Sequence, residues 1–184
     1  MDIGTVLTVL ATGLVTLSGV ALTQIFTSRR ERLARDAARL DARSAAAQEA
    51  AREVAKLFHD EALLSRKAAD RHEDIDDSRE LWHGHWYAEA EPRLVLAIEA
   101  IPVPSAREQL LVVCDALGDW MYAQFKQTPR LYAVVDLSDL GRGIAASYMR
   151  GESPNSDQIA ELHSVREVLQ AVAAHREDQQ QASA

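Results

Sequence analysis

The residues of this 184-residue chain that could do chemistry cluster between positions 72 and 99. His83 and His85 flank Gly84, Asp74, Asp76 and Ser78 precede them, and Glu89, Glu91 and Glu99 follow. Two imidazoles and a run of carboxylates are the donors of a zinc or calcium site. The spacing argues against both metals. On a helix, residues two apart point about 200° from each other, so His83 and His85 do not share one ion. On a strand they would, but no third ligand stands at a usable distance along the chain. Asp74, Asp76 and Ser78 imitate the start of an EF-hand loop, which needs Gly at its sixth position and Glu at its twelfth. Arg79 and His85 stand there instead. The segment reads as a solvated acidic loop.

Other chemistry is equally poorly supplied. The chain has no glycine-rich phosphate loop, nucleophile elbow, zinc-protease helix or cysteine pair. Glu89, Glu91 and Glu99 do not separate into acid and base roles. Cys114 is the single cysteine, so no internal disulfide exists. The expectation is a protein that is not an enzyme, with no catalytic residue, no metal and no cofactor. The remaining candidates are aromatic. Trp82 and Trp86 stand one helical turn apart with Tyr87 beside them, and Trp120, Tyr122 and Phe125 form a second group. Such residues anchor a helical core, or they dominate a docking surface. Core is the first reading; Trp82, Trp86 and Tyr87 are the docking candidates.

The element that would position all of this is at the N-terminus. Residues 3–27, IGTVLTVLATGLVTLSGVALTQIFT, contain no charged side chain, and Arg29 and Arg30 end the run. About 20 apolar residues cross a bilayer, so this stretch predicts one transmembrane helix. It lacks the basic start and cleavage site of a signal peptide. Arg29, Arg30, Arg32, Arg35, Arg39 and Arg43 all follow it, whereas only Asp2 and the amino group precede it. The positive-inside rule then places the N-terminus outside and the rest in the cytoplasm, on the plasma membrane. Arg29, Arg30, Arg32 and Arg35 are expected to contact headgroups. Thr5, Thr8, Thr12, Thr16, Gly19 and Thr23 share one face of the span, a stripe suited to close helix packing in lipid.

Beyond Arg29 the sequence predicts an all-α protein. Neither Gly nor Pro occurs from residue 20 to 83, and Ala, Arg, Glu, Gln and Leu dominate, so the anchor should continue as a stalk helix. Leu33, Ala37, Leu40, Ser44, Ala47, Ala51, Val54 and Phe58 keep the spacing of a coiled-coil seam. A loop at residues 72–78 precedes a helix from about Arg79, capped by Ser78 or Asp77, that Pro92 should interrupt. Ser105 and Glu108 form a capping-box spacing for the next helix, with Leu110, Cys114, Leu117, Met121 and Phe125 on one face. Thr128-Pro129 opens another, weakened by Gly141 and Gly143 and stopped by Gly151. Ser153-Pro154 precedes the last helix, with Ile159, Leu162, Val165, Leu169 and Val172 facing in. The divisions are 1–28 anchor, 29–56 basic stalk, 57–176 acidic helical bundle and 177–184 frayed tail.

Charge narrows the partners. Residues 29–56 hold eight Arg or Lys against five Asp or Glu, while residues 57–184 hold twelve against twenty-two. A bundle that acidic lacks the basic footprint nucleic acid needs. The run Gly19-Val-Ala-Leu-Thr-Gln24, then Arg29-Arg-Glu-Arg-Leu33 and the Ala/Arg-rich helix through Glu53, resembles a loose group of small single-pass, membrane-anchored helical proteins of actinobacteria or their phages. The resemblance covers about the first third of the chain and implies the anchor and the helical build, with no activity to carry over. The expected partners are the lipid bilayer and a protein partner or a second copy, not nucleic acid. The expected function is a membrane-tethered helical interaction module (scaffold, adaptor or regulator). The alternative is a membrane-active effector of phage or defence type acting through anchor oligomers.

Overall fold

The computed structural model describes the backbone of residues 3–70, 84–119 and 121–183, with side chains except those of residues 3–23, 25 and 26. Every regular element among the described residues is helical. The predicted loop at 72–78, its cap and Trp82 lie outside them. The chain divides into two units, Met1–Ser44 and Ala45–Ala184.

Helix α1 runs from Ile3 to Asp70, as the absence of Gly and Pro after residue 20 leads one to expect. In the first unit its described side chains, Gln24 and residues 27–44, are all exposed. The seam residues Leu33 and Leu40 are 66% and 64% exposed there. Arg35 donates to Glu31 at 3.0 Å, and Arg39 lies 3.9 Å from Asp36.

In the second unit α1 behaves as a core helix. Ala51, Val54, Phe58, Ala62 and Ser65 are buried at steps of three and four, with Leu57 and Glu61 on the same side. Its neighbours in sequence are a π-helical turn, Trp86–Ala90, and α2, Glu91–Glu99. Then follow α3 (Pro104–Gly118), the short α4 (Tyr122–Lys126), α5 (Arg130–Met149) and α6 (Ser156–Ala182). Helix α3 packs against α2, α5 and α6, and α6 also contacts α4 and α5. The broad buried surface of α5, including Ala133, Val134, Leu137, Leu140, Ile144 and Ala145, marks it as the central helix.

Several predicted boundaries move, each for a local reason. Pro92 does not break the helical path; the Glu91 N–H donates to the Trp86 carbonyl, five residues back. That wide turn puts Pro92 in the first turn of α2, where its missing donor costs nothing. Ser105 does not cap α3. Pro104 occupies the first turn, Val103 is the cap residue without a side-chain bond, and Ser105 falls inside the helix. Helix α3 stops at Gly118, so Met121 and Phe125 are not on its face. Thr128 yields the cap position of α5 to Pro129, after a left-handed Gln127 with φ of 54°. The residues assigned to a frayed tail are helical as far as Ala182, though exposed.

Two stops and starts are as expected in kind. Gly151 has φ of +75°. Its N–H donates to the Tyr148 carbonyl, and that of Glu152 to Ser147, both at 3.0 Å. This is the paired bonding of a Schellman stop. Asn155 caps α6: its side chain accepts from the Gln158 N–H, and the Gln158 side chain accepts from the Asn155 N–H, each at 2.9 Å. Asn155→Ala is therefore expected to lower the stability of the second unit by about 1 kcal/mol, read from urea denaturation, while Asn155→Asp leaves it nearly unchanged.

The two glycines that should weaken α5 serve packing instead. A Cβ on Gly141 would sit 2.7 Å from the nearest carbon of the Phe58 ring, and one on Gly143 would sit 2.6 Å from Gln158 Nε2. Each lets a side chain from another helix approach the α5 backbone.

Candidate functional site

A partly buried polar cluster in the second unit joins α1 to the start of the π-helical turn. Glu61 faces inward from α1 and is buried. His85 stands just before Trp86, and its Nε2 lies 3.0 Å and 3.2 Å from the two Glu61 carboxylate oxygens. With a proton on Nε2 the imidazole donates into that carboxylate. Nδ1 faces Glu89 one turn onward, 3.8 Å away, where the Glu89 side chain is largely in water. Two carboxylates thus flank one imidazole, and none of these three residues carries a hydroxyl or thiol. Among the described residues no group of three or more His, Cys, Asp or Glu is placed to hold a metal ion. His83, whose spacing to His85 argued against a shared ion, lies outside those residues.

Beside this cluster the aromatic candidates separate. Trp86 is fully buried in the core, so it offers nothing to a docking partner. A Cβ on Gly118 would lie 2.8 Å from its Nε1, so this glycine lets the indole lie against the end of α3. Tyr87 is 51% exposed, and its hydroxyl donates to the Gly118 carbonyl at 3.0 Å. Burial pushes that hydroxyl above its usual pKa, the Glu91 and Asp119 carboxylates add to the shift, and Arg176 opposes it. Of the docking trio, Tyr87 alone has a described surface position.

Of the second aromatic group, Trp120 lies outside the described residues, and the other two separate much as the first group does. Tyr122 is buried, and its hydroxyl has no hydrogen-bond partner among the described residues. Burial, then Glu161 and Asp136, push it up to about 12. Phe125 is partly exposed and meets the His175 ring edge-on, with centroids 5.6 Å apart. Cys114 is buried too, and burial, followed by Glu91 and Asp115, pushes its thiol up to about 12. A thiol that seldom ionises is a poor nucleophile and metal ligand at neutral pH. Arg176 with Asp119 at 2.9 Å and Arg166 with Glu108 at 2.7 Å tie α6 across to the α3 region. The Arg166–Glu108 pair is exposed and contributes little energy, whereas the Asp119 side chain is only 12% exposed.

In the first unit the charged candidates are placed plainly. Arg29, Arg30, Arg32 and Arg35 are all exposed. Arg35 is the one of these four with a carboxylate partner. The side chains of Thr5, Thr8, Thr12, Thr16, Gly19 and Thr23, and with them the predicted packing stripe, lie outside the described residues. Among the described residues no helix is long and apolar enough to cross a membrane.

What sequence reasoning missed is the Glu61–His85 contact. The signal was present in part: Glu61 follows Leu57 and Phe58 by four and three residues, on the stripe that turns inward. No known protein family, curated protein or solved structure matches the chain. Its function therefore has to be argued from its own residues.

Proposed function

We propose that this chain is a membrane-tethered helical interaction module, anchored by residues 3–27 and presenting its acidic bundle to a protein partner or a second copy at the cytoplasmic face. The observation that carries the reading is the uncharged 25-residue stretch at positions 3–27 of the sequence, followed at once by Arg29 and Arg30. A stretch of that length spans about 30 Å of hydrocarbon with some tilt. Six arginines follow it before position 44 and none precedes it, which orients the span with the bundle inside. Helix α1 extends from Ile3 to Asp70 and carries Val54 and Phe58 of the core, so the anchor and the bundle share one element.

The interaction half of the reading rests on chemistry. Cys114 is held as a thiol, and the aromatic side chains Tyr87 and Tyr132 are 51% and 59% exposed. An acidic helical surface favours partners with basic faces and disfavours nucleic acid. The test is alkaline extraction of membranes from cells expressing the full chain, followed by crosslinking in the native membranes. The chain is expected in the alkali-resistant pellet, released by detergent, and crosslinked to itself or to one reproducible protein. Release by alkali alone would sink the anchor; a chain that stays monomeric and uncrosslinked would sink the interaction module.

A further inference from the structure

We infer that Arg29, Arg30 and Arg32 form a phosphate-binding cluster that selects anionic phospholipids around α1, an inference that rests on the membrane-tethered reading above. All three side chains are exposed, and among the described residues none has a hydrogen-bond or ion-pair partner. The next two arginines differ. Arg35 is paired with Glu31 at 3.0 Å, and Arg39 lies 3.9 Å from Asp36. Among the described residues Arg43 is likewise exposed without an ion pair, but it stands alone further along α1. The clustered uncommitted charge lies in the four residues that follow Ser28.

Helix geometry matches that concentration to the headgroup layer. A rise of about 1.5 Å per residue puts Arg29, Arg30 and Arg32 about 3–8 Å beyond Thr27. The polar layer on each side of a bilayer is about 5–8 Å thick. Arg39 and Arg43 fall about 18–24 Å beyond the same point, more than a Debye length outside that layer. A turn of about 100° per residue fans the three guanidinium groups over an arc of about 160°, so they reach separate lipids rather than one ligand. Each guanidinium matches a phosphate with two parallel N–H···O bonds. Charge attraction of this kind enriches an anionic lipid about fivefold per arginine at low salt.

The experiment places the full chain in nanodiscs containing equal phosphatidylglycerol and phosphatidylcholine, releases it with mild detergent, and measures the retained lipids by mass spectrometry. The wild-type chain should retain phosphatidylglycerol over phosphatidylcholine by about fivefold or more, and molar salt should erase the preference. The R29Q/R30Q/R32Q variant should retain the two lipids equally, R29K/R30K/R32K should keep a smaller preference because charge remains without the paired bonds, and R39Q should match wild type. Equal retention by the wild-type chain, or a full preference in the triple glutamine variant, would overturn the assignment. A chain that does not enter the nanodisc at all overturns the membrane-tethered reading and this inference together. A chain that enters and shows no preference overturns this inference alone.

Discussion

Phe58→Ala is expected to destabilise the second unit by about 3–5 kcal/mol, the usual cost of removing a fully buried aromatic ring. Phe58 has no exposed surface and lies against Gly141 of α5, where an added Cβ would come within 2.8 Å of three ring atoms. That contact makes the companion substitution informative. Gly→Ala inside a helix ordinarily adds about 1 kcal/mol of stability through backbone entropy. Here the new methyl would strike a rigid, buried ring, and overpacking costs about 1–3 kcal/mol, so Gly141→Ala should be destabilising on balance. With Phe58 reduced to Leu or Ala the obstruction is gone, and the same Gly141→Ala change should become stabilising. The sign reversal is read from urea denaturation of the two single variants and the double variant. Additive effects would mean that Phe58 and Gly141 do not share that space.

That reversal also shows why part of the fold was legible in the sequence and part was not. Local rules were enough for α1 from Arg29 onward, because an unbroken run of strong helix formers needs no partner to be recognised. They were enough for Gly151, because a left-handed helix stop depends on the residue itself. They misread Gly141 and Gly143, since helix propensity registers the backbone cost and not the side chain from another helix that fills the space. Ser105 misled for a related reason: its capping spacing to Glu108 was real, but Pro104 already fixed the helix start one residue earlier. At Pro92 the expected break became a π-helical turn, a device that leaves no mark in the hydrophobic pattern.

The candidate site was less legible still. Trp86 and Tyr87 are adjacent in sequence and both approach Gly118 at the end of α3, yet one is buried and the other half exposed. Glu61 and His85 are separated by 24 residues, and only the fold brings them together. Sequence spacing argued against a shared role for His83 and His85 but offered no other partner; the structure pairs His85 with a carboxylate on another helix. For the arginines the types and positions could be read directly, but which of them are neutralised could not. That division, between Arg29, Arg30 and Arg32 on one side and Arg35 and Arg39 on the other, depends on the rotamers that bring Glu31 and Asp36 into reach.

The Glu61–His85 pair carries the second large expected effect, and its asymmetry is the test. The Glu61 side chain is 11% exposed and that of His85 31% exposed, so water can replace a lost partner at His85 far better than at Glu61. His85→Ala strands a buried carboxylate without this donor and should cost about 1–3 kcal/mol. Glu61→Gln keeps the shape and leaves an amide that still offers an oxygen to the ring, so it should cost less. Combining the two removes the stranded charge, and the double variant should be more stable than His85→Ala alone. Because His85 directly precedes the turn that sets Trp86 into the core, loss of the imidazole should also speed amide exchange across Trp86–Ala90 more than across α5. Glu89, 73% exposed and 3.8 Å from Nδ1, should contribute little, and Glu89→Gln should leave both readouts near wild type. If His85→Ala costs no more than Glu89→Gln, the buried carboxylate does not depend on the imidazole, and the link between α1 and the turn is packing alone.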